Sequence, residues 1–353
     1  MRLPNRLRAL VLIATVLDLR RLGRLTRRLT REPTVETTEI DGVQVEIVRP
    51  GGSGPWPAWV FINGAHPQRR REPVVRLLSH GLARAGYITF VPDLPGLGEG
   101  AITMRTLDAS CAVTLAATEH PDVGGGRVAL IGASTGAGLA LLTAGREQLA
   151  ERVSVVAAVA PFADLARMIC LATTSCYMEE GAFARHQVTP LHRRVVARSL
   201  AAAIEDQTDR DRLLDSLTRS EEEDEEADPI ALLPRDLETL QGRSVLAVLT
   251  NDDPELFAET YARLDRDAAE VLARLSPLSA CPQILAPVEI VVPPSDMYFP
   301  LGEAQALAAA LPNAHLTVTA TLDHTRPQLS TARLRSLVRF DRFVLRGLRA
   351  AAG

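Results

Sequence analysis

Apolar and polar positions alternate over residues 35–40 and again over 43–48, on either side of the dipeptide Asp41-Gly42. A period of two broken by that dipeptide predicts a β-hairpin with one covered face. Beyond it the pattern changes. Runs at 59–62, 87–91, 128–131 and 153–159 are almost wholly apolar, as strands are when a parallel sheet is covered on both sides. Between them, residues 72–85, 103–118 and 135–149 carry a helical period. Gly86 ends the first of these helices, and the turn-rich Pro92-Asp93-Leu94-Pro95-Gly96-Leu97-Gly98 follows the second run. This order of elements predicts an α/β domain with a mostly parallel, twisted sheet and helices on both faces.

The alternation stops near Pro161 and returns at Val288, where 288–292 and 316–320 read as strands and 301–311 and 332–350 as helices. Residues 162–281 are mostly helix-like, without an internal repeat, and include an acidic run from Glu221 to Glu226 that reads as a solvated face. They are expected to form a helical cap or lid inserted into a core made of 35–161 and 282–353. Val195, Val196, Leu200 and Ile204 lie at helical spacing, an apolar face that needs something to cover.

Residues 1–34 are different again. Arg2, Arg6 and Arg8 precede an apolar run over 9–17, as in a signal peptide, but Asp18, Arg20, Arg21, Arg24, Arg27 and Arg28 follow at once with no small-residue cleavage site. The run is also shorter than the ~20 residues that span a bilayer. Leu19, Leu22, Leu25 and Leu29 recur at helical spacing among the arginines. A basic amphipathic helix is expected, resting on the body of the protein, on a second copy in a homodimer, or on a membrane surface.

With 46% hydrophobic and 23% charged residues, the composition is that of an ordinary globular protein. A net charge of −4 argues against a nucleic-acid partner. All the side-chain positive charge apart from histidine is arginine; the chain has no lysine, which excludes any lysine-dependent mechanism. Cys111, Cys170, Cys176 and Cys281 are scattered, with neither a zinc-site spacing nor a disulfide framework. Free thiols and no secretion signal imply a reducing, cytoplasmic setting.

Candidate chemistry centres on Gly132-Ala133-Ser134-Thr135-Gly136, which leaves the 128–131 strand and enters a helix. G-x-S-x-G in that context is a nucleophile elbow: a sharp turn lifts the serine Oγ above the sheet, and side chains at the glycine positions would clash. Extended through Ala137 and Gly138, the same residues also resemble the glycine turn of short-chain dehydrogenases. That reading lacks the Tyr-x-x-x-Lys pair, has strands ahead of the turn, and has no acidic residue closing the 153–159 strand to hold a ribose.

The elbow, the order of the later residues and the loops around them resemble the α/β-hydrolase superfamily, in its esterase and peptidase-like branch, over about 35–161 and 282–350. The resemblance implies an α/β-hydrolase fold and a serine hydrolase with the chain order serine, acid, histidine. Ser134 would be the nucleophile. Asp296, in Pro293-Pro294-Ser295-Asp296-Met297-Tyr298-Phe299-Pro300, resembles the family's acid turn, and His324, in Thr321-Leu322-Asp323-His324, its catalytic histidine. Asp253, after a strand expected over the apolar run 245–249, is a rival for the acid, and Asp164 a weaker one. The loop Asn63-Gly64-Ala65-His66-Pro67 resembles the family's His-Gly-x loop with Asn63 in the histidine's place. The oxyanion hole implied is the main-chain N–H of Thr135 with that of Ala65. The substrate implied is a small acyl compound (ester, thioester or amide), with no cofactor and no metal. The other reading is a non-catalytic α/β-hydrolase fold that keeps a ligand pocket under its cap.

Overall fold

The computed structural model describes residues 4–17, 26, 28, 30–327 and 334–353. The expected hairpin is formed by β1 (Thr34–Ile40) and β2 (Val43–Arg49), with Ile40 opposite Val43. Asp41 and Gly42 both take positive φ, 49° and 75°, as a two-residue turn matched to strand twist requires.

β3 (Trp56–Ile62), α2 (Pro73–Arg84), β4 (Ile88–Pro92), α3 (Met104–Glu119), β5 (Val123–Ala133), α4 (Thr135–Ala144) and β6 (Val153–Val159) then alternate, after an N-terminal helix α1 (Asn5–Val16). Past residue 161 come α5 (Leu165–Thr174), a small hairpin of β7 (Cys176–Glu179) and β8 (Ala182–Arg185), α6 (Pro190–Ala201), α7 (Gln207–Glu223), α8 (Leu240–Leu249), α9 (Pro254–Ala262) and α10 (Arg266–Arg274). The core resumes with β9 (Val288–Val292), α11 (Leu301–Ala310) and β10 (Ala314–Val318), and closes, after a two-rung hairpin of β11 (Leu322–Asp323) and β12 (Arg326–Pro327), with α12 (Leu334–Ala352). The main sheet runs β1-β2-β4-β3-β5-β6-β9-β10. β2 is antiparallel to both neighbours, and the strands from β4 to β10 are mutually parallel. The chain reaches β4 on one side of β3 and β5 on the other, so the carboxyl ends of β3 and β5 flank the crevice where ligands of open α/β sheets bind.

Two apolar layers sandwich this sheet. Ala58, Val60 and Ile62 of β3 face α3, α4 and the helices past residue 161, while Trp59 and Phe61 face α1, α2 and α12. Residues 128–131 and 155–158 split between the layers in the same alternating way. This is why these strands read as unbroken apolar runs. At Glu289 on β9 the pattern carries a buried charge instead, which accepts two hydrogen bonds from Arg346 Nε of α12 at 2.7 and 2.8 Å.

Three sequence expectations change. The apolar run 245–249 is the last part of α8 rather than a strand. Thr239 caps that helix, its Oγ1 accepting the Gly242 N–H at 2.9 Å. The helix expected over 135–149 ends at Ala144, with a 3-10 turn at Glu147–Leu149. The β7–β8 hairpin, turning on Glu180 and Gly181 with φ of 48° and 86°, was not expected. At the N-terminus the apolar run 9–17 falls within and just beyond α1, which packs on α2 and α12. Leu19, Leu22, Leu25 and Leu29 lie outside the described residues.

Candidate active site

β5 ends at Ala133 and the chain turns sharply into α4. Ser134, between them, has φ 54° and ψ −124°, a conformation that non-glycine residues adopt only under strain. The Ser134 N–H donates to the Val159 carbonyl of β6 at 2.9 Å, so the neighbouring strand holds the strained residue in place. A Cβ on Gly132 would strike the Gly136 carbonyl and Ala137, and one on Gly136 would strike the Ile62 and Asn63 carbonyls. Both glycines are therefore required by close approach. Thr135 opens α4 and lines the same cavity as Ser134, so the unpaired first N–H groups and partial positive charge of the helix are presented there.

His324 sits on the turn between β11 and β12 with φ 51°. Its Nδ1 lies 2.8 Å from Asp296 Oδ2 and 3.0 Å from Oδ1. Asp296 Oδ1 also accepts the N–H groups of Tyr298 at 2.7 Å and Phe299 at 3.2 Å. Burial pushes the Asp296 carboxyl up, but the hydrogen bond and charge of His324 and these two N–H donors outweigh it and hold the carboxyl below its ordinary value. The His324 ring is packed between Tyr298, at 4.5 Å between centroids, and the edge of Phe299, at 5.7 Å. Two rings and a carboxylate thus fix one imidazole.

Ser134 and His324 line one cavity of about 260 Å³. Its walls include Phe162, Leu165 and Met168, and α6 contributes His192, Val195 and Val196. Leu200 and Ile204, the rest of that expected face, are buried in the core beside it. Glu303 of α11 accepts the N–H groups of Ala163 and Asp164 at 2.8 and 3.1 Å and so pins the loop that carries Phe162.

The rival acids lie elsewhere. Asp253 caps α9, its Oδ1 accepting the Glu255 N–H at 2.9 Å, and Asp164 caps α5, accepting the Arg167 N–H at 3.0 Å. The loop after β3 reaches the cavity with Asn63, Gly64, Ala65 and His66. Asn63 donates through Nδ2 to the Arg69 carbonyl at 3.1 Å, a structural tie within the loop. The Ala65 N–H donates to Thr135 Oγ1 at 2.8 Å, an engagement the sequence did not suggest. His192, which no motif in the sequence singles out, is a buried part of the cavity wall. Among the described residues neither of its ring nitrogens has a hydrogen-bond partner, and it meets Phe299 edge-on at 5.8 Å. Burial, followed by the charges of His186, His324 and Arg193, brings its pKa down to about 4. Only the helix start at Thr189-Pro190 is visible in sequence there, not the cavity. Among the described residues no cluster of three or more His, Cys, Asp or Glu side chains is placed to hold a metal, and no helix is long and apolar enough to cross a membrane.

No curated protein matches the chain. Among solved structures it is similar to a 2,6-dihydroxy-pseudo-oxynicotine hydrolase, with a TM-score of 0.50 and 16% identity, covering 94% of this chain and 73% of that one. It is similar to Est1E from Butyrivibrio proteoclasticus at 0.50 and 16%, covering 89% and 99%. It is also similar to Porphyromonas gingivalis dipeptidyl peptidase 4 at 0.51 and 14%, covering 90% of this chain but 36% of that one. At such identities these likenesses speak for the fold alone. A sequence profile described as the alpha/beta hydrolase family matches residues 50–336, a span that takes in the elbow, the acid turn and the histidine hairpin. By sequence and by fold, the chain belongs to the alpha/beta hydrolase family.

Proposed function

We propose that the protein is a serine hydrolase that cleaves a carboxylic ester, or a related thioester or amide, through an acyl-enzyme on Ser134. The observation that carries this reading is the strained Ser134 in one cavity with His324, whose Nδ1 is committed to Asp296 at 2.8 Å. That commitment leaves Nε2 as the nitrogen for the serine proton. His324 takes that proton as Oγ attacks the substrate carbonyl, and Asp296 holds the tautomer and stabilises the imidazolium. The N–H of Thr135, at the head of α4, faces the oxyanion together with the loop that carries Ala65. Collapse of the tetrahedral intermediate expels the leaving group, protonated by His324. Water activated by the same imidazole then releases the acid.

Residues 162–281 act as the cap in this reading, with α6 as the wall that meets the acyl group. The mostly apolar wall favours an uncharged acyl portion, and exclusion of water protects the acyl-enzyme. A panel of p-nitrophenyl esters from acetyl to decanoyl tests the proposal. The wild type is expected to turn over a subset of them, and Ser134→Ala and His324→Ala to reduce that turnover to background. Turnover that survives Ser134→Ala would refute it.

A further inference from the structure

We infer that the Thr135 side-chain hydroxyl is itself a hydrogen-bond donor to the oxyanion, held in place by the main-chain N–H of Ala65. The inference rests on the acyl-transfer reading above and adds a side chain to that site. The Ala65 N–H points to Thr135 Oγ1, at 2.8 Å, rather than to open space. The two segments are pressed together there. A Cβ on Gly64 would lie 3.1 Å from the Ala133 carbonyl and 3.3 Å from Ser134 Cβ, so the loop has little room to slide along the elbow.

A hydroxyl has two lone pairs and one proton to give. The bond from Ala65 uses a lone pair and leaves the proton. Among the described residues, no hydrogen bond hands that proton to a protein acceptor. A threonine inside a helix usually returns its proton to a carbonyl one turn back. Thr135 is the first residue of α4, with the strained Ser134 and the end of β5 before it, so no helical turn precedes it to offer that carbonyl. Thr135 is 7% exposed and lines the cavity beside Ser134. A buried donor left unmatched is destabilising, unless the substrate supplies the acceptor. The oxygen that gains charge when Ser134 attacks a carbonyl is such an acceptor. Accepting from Ala65 also polarises the Thr135 O–H and strengthens it as a donor. In this arrangement Thr135 gives both its N–H and its O–H to the oxyanion, and Ala65 is a positioning residue that acts through it.

The test compares Thr135→Val, Thr135→Ser and Thr135→Ala with the wild type on an ester that the wild type hydrolyses. Valine keeps the shape and removes the hydroxyl. Thr135→Val should lower kcat by roughly 10²–10³-fold, the usual loss for one oxyanion donor, with KM and Tm little changed, and Thr135→Ser should recover most of it. A trifluoromethyl ketone, whose adduct with Ser134 carries the oxyanion, should lose affinity in step with kcat. Wild-type kcat in Thr135→Val would overturn the inference. So would a faster Thr135→Ala, since the freed Ala65 N–H would then be the true donor and the hydroxyl only a block. In both cases an active wild type leaves the acyl-transfer reading standing. A wild type that neither turns over esters nor reacts with a serine probe would fail that reading, and the inference would fall with it.

Discussion

Three donors converge on Asp296, His324 Nδ1 and the N–H groups of Tyr298 and Phe299. Replacing the carboxylate with an amide disturbs the tautomer of the histidine it faces, and in serine hydrolases the loss in kcat is about 10⁴-fold. We therefore expect Asp296→Asn to lower kcat by that order. Asp253→Asn, at a helix cap, should change it no more than a few-fold, and steady-state kinetics on one ester would show the ranking. The same carboxyl carries a pH signature. Its folded pKa lies below the unfolded value of about 3.9, so its contribution to stability is present above that pH and is lost as pH falls through the lower folded value. Asp296→Asn should accordingly flatten the acid limb of a Tm-against-pH curve. Ser134, Asp296 and His324 are legible in the sequence because each sits in a short local pattern and the family fixes their order. The Ala65–Thr135 bond is not, because it joins residues 70 positions apart through an ordinary alanine and threonine.

Among the elements, α6 bears most on the substrate preference proposed above. Its Val195 and Val196 line the cavity while Leu200 is fully buried behind them. Val195→Phe should shorten the preferred acyl chain in an ester panel while leaving reaction with a small fluorophosphonate within a few-fold of wild type. Equal losses in both would mean that the helix supports the elbow rather than the acyl group. His192, on the same helix, is held neutral down to about pH 4, whereas the unfolded chain takes up its proton near 6.5. Between those values the unfolded state binds more protons, so stability falls as pH falls, by about 3 kcal/mol at most. His192→Phe should remove that slope from urea midpoints measured between pH 7 and 4. The first hairpin was readable from its period of two, the core strands from short unbroken apolar runs between turns, and the helices from a period of 3.6. Misreading 245–249 as a strand has a physical cause, since a five-residue apolar run fits a buried strand and a buried helix turn equally well. The β7–β8 hairpin was missed because its strands are four residues each, carry no polar–apolar alternation, and turn on Glu180-Gly181 rather than on Asn-Gly or Asp-Gly.

For the molecule as a whole, the sheet works as a two-sided partition. One layer joins the core to the helices past residue 161, and the other is closed by α1, α2 and α12. α1 belongs to that second layer through Ala9, Val11 and Leu12, and Arg8 stacks over the Tyr87 ring at 4.9 Å. Packing on the body was one of the three uses the sequence left open for its basic, apolar N-terminus. Leu12→Ala should cost about 2–5 kcal/mol, as buried leucines do, measurable as a lower urea midpoint with the m-value unchanged. A midpoint like the wild type's would show that α1 adds nothing to the core. The α/β class, the interruption of the alternation and its return were readable from the order of strands and helices. Which residues make up the cavity wall was not, because such a wall is made by residues far apart in the chain, such as Phe162, Val195 and His324.

The central claim, that Ser134 is the nucleophile of an acyl-transfer site, is tested most directly by treating the folded protein with a fluorophosphonate and mapping the adduct by peptide mass spectrometry. A single phosphonylated residue, Ser134, is expected, with the adduct absent from Ser134→Ala and strongly slowed in His324→Ala. Failure of the wild type to react, or an adduct on a different serine, would contradict the account.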